Sequence, residues 1–153
     1  LHTNSAAGSV VRLVNMGVEP FLINSCLMAV IGQRLVRKIC AQCKELSRPP
    51  KGLAQKLGLL SANGQVPEIA RGSGCSSCFQ SGYRGREVIA EVLVLTPETR
   101  ALILRRAQER ELEEAARKHG MQTLREHGLQ KVLAHVTTLD EVFRTTIGDA
   151  VET

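Results

Sequence analysis

The sequence predicts an α/β chain, predominantly helical, with a small metal-stapled segment in its middle. Three observations predict it. Apolar residues recur at helical spacing before residue 40 and again after Pro97, the β-forming run Val88 to Leu95 stops at Thr96-Pro97, and two matched cysteine pairs lie between the first helical stretch and that run. At 153 residues the length suits one ordinary domain, although a metal-stapled insert divides such a chain into two or three small units.

From Ser5 to Met16, the positions Val10, Val11, Leu13 and Val14 give a helix one apolar face, with Asn4 or Ser5 as N-cap and Gly17 just past its end. Pro20 introduces a second helix, expected from Phe21 to about Ile39. Its first half is apolar, and Gln33-Arg34-Leu35-Val36-Arg37-Lys38 continues it amphipathically, with cations suited to the C-terminal dipole. Cys26 lies in the apolar half and reads as a buried small hydrophobe. Pro49-Pro50-Lys51-Gly52 marks a loop, and Leu53 to Leu60 has the pattern of a short helix ended by Ser61-Ala62-Asn63-Gly64. After the strand Val88 to Leu95 everything reads as helix: Glu98 to Ala107, Glu111 to His119 before Gly120, Met121 to His135 interrupted near Gly128, and Leu139 to Thr146 capped by Thr138.

The cysteine pairs are Cys40-Ala-Gln-Cys43 and Cys75-Ser-Ser-Cys78, separated by 31 residues. Each C-x-x-C turn aims two sulfurs at one point, and two such turns complete a tetrathiolate site. Zinc is the occupant this pattern favours; four thiolates leave no open position for water or substrate, so its role is to close a fold. Arg37, Lys38 and Lys44 nearby favour thiolates. A rubredoxin-like iron centre or an iron–sulfur cluster uses the same ligands, but nothing here adds the surroundings of an electron carrier. Two disulfides or a thioredoxin-like dithiol also fit the count; they would leave Cys26 over, and no signal peptide accompanies them. His119, His127 and His135 recur every eight residues. On one helix neighbours would stand ~12 Å apart, too far to share an ion, so they are read as surface histidines. Glu109, Glu111, Glu113 and Glu114 interleave with Arg105, Arg106, Arg110 and Arg117 as a salt-bridged helix face.

Charge and composition narrow the functional classes. A net charge of +5 is modest, and the four aromatic residues Phe21, Phe79, Tyr83 and Phe143 are too few to form a stacking platform for single-stranded nucleic acid. The longest apolar run, Phe21 to Ile31, falls short of the ~20 residues that span a bilayer, so no membrane insertion is expected. No G-x-x-x-x-G-K-[ST] loop, zinc-protease helix or activated Ser or Cys nucleophile is present in these residues. On its own residues the chain is a zinc-stapled interaction module.

Four stretches, taken together, resemble one family: LHTNSAAGSVVRLVNMGVEPFLI, GQRLVRKICAQCK, GCSSCFQSGYRGREVIAEVL and HGMQTLREHGLQKVLAHVTTLDEVFR. In this order and spacing they are similar to the carboxy-terminal part of the hexameric secretion ATPases of type II secretion and type IV pilus assembly, which carry a tetracysteine zinc subdomain. Pilus-retraction motors of the superfamily lack the cysteine pairs, so the likeness favours the secretion and pilus-extension branch. Val88-Ile89-Ala90 and Ser47-Arg48 depart from the stretches the family more often has there.

The resemblance implies a fragment, in keeping with the absence of an initiator methionine. Residues 1–38 would be the trailing edge of a RecA-like ATPase core, 39–95 the zinc-binding subdomain with Cys40, Cys43, Cys75 and Cys78, and 96–153 a C-terminal helical subdomain. His2 aligns with the histidine of the family's His box near the terminal phosphate; the alternative is a frayed terminal residue. ATP and Mg2+ would belong to the full-length parent, a cytoplasmic homo-hexamer at the bacterial inner membrane, and these residues alone would be inactive. The zinc subdomain would dock on an inner-membrane platform or adaptor protein through Phe79, Tyr83, Arg84 and Arg86, unless Phe79 and Tyr83 instead pack over the zinc knuckles. A stand-alone zinc ribbon binding protein or nucleic acid is the other class.

Overall fold

The computed structural model describes residue 3 and residues 5–146. His2 and Asn4, singled out above, lie outside the described residues. Among the described residues there are seven helices and four strands, a mixed α/β arrangement, in the order α1 Ala6–Asn15, α2 Pro20–Cys26, β1 Ala29–Ile39, β2 Lys44–Ser47, α3 Lys51–Lys56, β3 Ile69–Gly72, β4 Tyr83–Val94, α4 Pro97–Leu104, α5 Glu109–Lys118, α6 Leu124–Leu133 and α7 Leu139–Thr146. β1 pairs with β4, and β2 with β3, as two separate ribbons. No described helix is long and apolar enough to cross a membrane.

The chain forms two compact units. One draws on the residues up to Gln33 and on Ala90–Leu124, the other on Arg34–Ile89 and the residues from Arg125 on. In the first unit Ser5 caps α1, its hydroxyl accepting the Gly8 N–H at 2.8 Å. Val10 and Val14 of α1 then pack with Ile23, Leu93, Ile103, Leu112, Ala116 and Met121 in one apolar core. Thr96 and Thr99 form a reciprocal capping pair at the start of α4, with Pro97 in its first turn. The expected salt-bridged face is present on and beside α5: Arg110 meets Glu114 at 2.8 Å, Arg117 meets Glu113 at 3.7 Å, and Arg105 meets Glu111.

The second expected helix ends thirteen residues early, at Cys26, and the chain turns into β1. Gln33 to Lys38 fits a period of two as well as one of 3.6, and the β-branched Val30, Ile31, Val36 and Ile39 favour the strand. Gly32 is used for close approach in β1: a Cβ there would stand 3.1 Å from Cγ of Glu91, a neighbour that the strand pairing brings in from β4. Cys26, expected to be buried, is exposed because α2 stops there and turns its last residues outward.

In the second unit, Ala54, Leu59, Val132, Leu139 and Val142 form a core, with Leu129 and Phe143 against it. α6 runs through Gly128 without the expected interruption. A Cβ at Gly128 would lie 2.6 Å from Cγ1 of Val142, so the glycine lets α7 pack close on α6. Thr138 caps α7 as the sequence predicts, receiving the Glu141 N–H at 3.3 Å. β2 and β3 have no counterpart in the sequence reading. They are four-residue strands, antiparallel, with Lys44 opposite Gly72 and Ser47 opposite Ile69.

Candidate metal centre

The β2–β3 ribbon brings together cysteine pairs that lie far apart in sequence. Cys43 directly precedes β2 and Cys75 follows closely on β3, so the pairing of Lys44 with Gly72 carries the two C-x-x-C turns to the same end of the ribbon. Each turn contains a 3-10 segment, Ala41–Cys43 and Ser76–Cys78. Two backbone links hold the turns in place: the Ser73 N–H donates to the Cys43 carbonyl at 2.9 Å, and the Cys40 N–H to the Gly82 carbonyl at 3.0 Å. Gly72 and Gly82 are required for this approach. A Cβ on Gly72 would fall 2.0 Å from the Gly82 carbonyl oxygen, and Gly82 itself has φ +75°.

The four sulfurs are gathered at metal-sharing distance, all within 4.8 Å of one another. Measured separations are 3.9 Å for Cys40–Cys75, 3.8 Å for Cys43–Cys78 and 3.7 Å for Cys75–Cys78. A tetrahedron with metal–sulfur bonds of about 2.3 Å has edges of about 3.8 Å, so the cage fits a tetrathiolate ion. Disulfides would need sulfurs about 2.05 Å apart, and all five cysteines are free.

The thiols differ in how readily they lose a proton. Burial pushes the Cys43 thiol up to about 12. The Cys78 thiol feels the same burial, but the N–H groups of Cys75 and Gly82, each 3.3 Å from its sulfur, bring it down to about 6. N–H donors aimed at sulfur stabilise thiolate and orient the ligand for a cation. The histidines take no part in this cluster: His119 Nε2 meets Glu98 at 3.0 Å and His135 Nε2 meets the Glu68 carbonyl at 3.0 Å.

The four candidate docking residues lie in the same unit and separate into different surroundings. Phe79, with φ +52°, is 93% exposed and follows directly on the second C-x-x-C turn. Tyr83 is half-buried and built into the fold: its hydroxyl shares a 2.8 Å hydrogen bond with Thr138 Oγ1, and the Arg37 guanidinium stacks 4.1 Å from its ring centre. Arg84 and Arg86 are exposed, Arg84 donating to Ser77 Oγ at 2.6 Å.

The profile of the type II/IV secretion system protein family matches residues 1–144. The chain belongs to that family. It is 46% identical to the type IV pilus assembly ATPase PilB of Thermus thermophilus over 96% of this chain and 16% of that protein. It is 44% identical to a type II secretion system protein E of Pseudomonas aeruginosa over 95% of this chain and 28% of that protein, and 42% identical to the type II secretion system ATPase E of Vibrio cholerae with the same coverage. The chain thus spans less than a third of the length of these relatives.

Two buried carboxylates in this family member escape the motif reading. Glu91, 4% exposed, accepts the Ala6 N–H at the start of α1 and the Leu124 N–H at the start of α6, the latter at 3.1 Å. Glu141, 1% exposed, takes hydrogen bonds from Arg37 and Arg144. Glu91 did carry a signal, since Ile89 and Leu93 share its phase in the strand and are buried. Glu141 carried none, because an acidic first turn is what an exposed helix also shows.

Proposed function

We propose that this chain is part of a motor ATPase that powers type II protein secretion or type IV pilus assembly, with one structural zinc held by Cys40, Cys43, Cys75 and Cys78. The observation that carries the reading is the family match, which runs unbroken from residue 1 to residue 144 on both sides of the four-cysteine cage. That span also speaks against a stand-alone zinc ribbon. Zinc suits the cage on donor chemistry, since four thiolates in a tetrahedron are its usual structural site.

In this reading residues 1–38 close a RecA-like core, 39–95 form the zinc subdomain and 96–153 a C-terminal helical subdomain. The whole protein works as a cytoplasmic hexamer at the inner membrane. The zinc subdomain docks on a platform or adaptor protein, because a closed metal site with no nucleophile or base holds a loop in shape for recognition. The 153 residues contain no phosphate loop, so by themselves they bind no ATP.

The test has two arms. Metal analysis of the purified chain should return one zinc per chain, and an ATP titration should show no binding. In cells, Arg84→Ala with Arg86→Ala should reduce secretion or piliation while zinc content stays whole. Micromolar ATP affinity, absent zinc, or unaffected transport would each remove the corresponding part of the reading.

A further inference from the structure

Phe79 combines features that packing within the unit does not explain. Among the described residues it is the most exposed of the large apolar side chains, at 93%, and the backbone holds it out through two successive non-glycine residues in the left-handed region, Phe79 at φ +52° and Gln80 at φ +62°. That conformation is unfavourable for a side-chain-bearing residue and is fixed here by the metal turn, where the Phe79 N–H bonds the Ser76 carbonyl at 3.2 Å and the Gln80 N–H the Cys75 carbonyl at 2.9 Å. Phe79 lines a shallow surface depression together with Ser76, Ser77, Ser81, Tyr83 and Arg84.

The charges around it are unbalanced. Elsewhere in this unit Arg37, Arg48, Arg71 and Arg144 each face a carboxylate. Among the described residues no carboxylate lies in salt-bridge reach of Arg84 or Arg86. Arg84 donates to Ser77 Oγ at 2.6 Å, a neutral acceptor that leaves its charge unbalanced. An exposed guanidinium without a carboxylate partner in its own chain suits pairing with one from outside.

We propose that the rim of the four-cysteine knuckle docks an acidic protein segment, with Phe79 inserted into an apolar pocket of the partner and Arg84 and Arg86 paired to its carboxylates. This rests on the docking role given above and adds the chemistry of the partner. A protein is favoured over a lipid surface because one ring and two arginines give a membrane only marginal attraction. The same set matches the aromatic and arginine anchors that dominate protein interfaces.

The experiment replaces Phe79 with p-benzoylphenylalanine in the protein expressed from its own gene, irradiates living cells, and sequences the crosslinked peptide by mass spectrometry. The expected product is a segment of another protein with net negative charge. A synthetic peptide of that segment should then bind the purified protein with affinity reduced at least about tenfold by Phe79→Ala, and with a weaker salt dependence after Arg84→Ala and Arg86→Ala. The metal content of these variants should equal that of the parent. A crosslink to lipid, to another copy of this chain or to a neutral or basic segment, or no crosslink at all, overturns the proposal. An acidic segment in a protein outside any secretion or pilus machinery keeps this inference and removes the motor reading; a non-acidic segment within that machinery does the reverse.

Discussion

Replacing Glu141 with glutamine should destabilise the chain by about 2 kcal/mol at neutral pH. The carboxylate is 1% exposed and meets the Arg37 guanidinium at 2.6 Å, the Arg37 N–H at 2.9 Å and the Arg144 guanidinium at 2.9 Å. Burial alone would raise its pKa, but these donors outweigh burial and hold it at about 2 instead of the usual 4.5. That gap corresponds to roughly 3 kcal/mol at 1.36 kcal/mol per unit. Arg37 and Arg144 are 47% and 61% exposed, so solvent screening lowers the figure. Glutamine keeps the shape, loses the charge and turns an amide toward cationic donors. Urea unfolding of the metal-loaded protein and of Glu141→Gln is the assay. The sign follows from the depressed pKa: the contribution is whole above about pH 4.5 and is lost as pH falls toward about 2. The difference between the two proteins should therefore close over that window. Acid also releases the metal, so metal content is measured at each pH and the difference is read only where both proteins retain it. A neutral-pH difference below about 0.5 kcal/mol, or one that does not begin to narrow as pH falls below about 4.5, would refute the reasoning.

Three further outcomes are expected. Cys43→Ser should abolish tight metal binding and unfold mainly residues 39–93, read by metal analysis and amide exchange, since such a site supplies on the order of 10 kcal/mol to a segment with little core; full stability in chelator with no metal present would count against it. Gly128→Ala should lower stability by about 1 kcal/mol in thermal unfolding, because its Cβ would meet Val142 at 2.6 Å and overpacking of about 1–3 kcal/mol exceeds the roughly 1 kcal/mol gained in helix propensity. Gly72→Ala should weaken metal affinity in a competition titration with a chromogenic chelator, since its Cβ would strike the Gly82 carbonyl at 2.0 Å and neither backbone can yield without moving a C-x-x-C turn.

Much of this architecture was legible from local chemistry. Ser5 and Thr138 cap the helices that follow them, and Leu139 to Thr146 is helical over its expected range. In each of these the defining interaction lies within four residues, so the sequence contains both partners side by side. β1 was misread because Gln33 to Lys38 fits either period and its hydrogen-bonding partner β4 lies some fifty residues away. β2 and β3 went unseen because each is four residues long and β2 is exposed throughout, leaving no alternation to read.

By itself, the sequence picked out the four cysteines that gather in one cluster, since two C-x-x-C turns specify four sulfurs whatever surrounds them, and the order of the helices, set by caps and breakers. Tertiary structure decided what no local pattern contains. It showed that the β2–β3 ribbon sets the sulfurs at tetrahedral spacing, that Gly72, Gly82 and Gly128 are sites of close approach, that Glu91 and Glu141 are buried acceptors for distant donors, and that Tyr83 is held within the fold while Phe79 stands out from it. The physical reason is range: caps and turns are closed by neighbours in the chain, whereas burial and charge pairing depend on residues up to about a hundred positions away, as in Arg37 and Glu141 with a separation of 104.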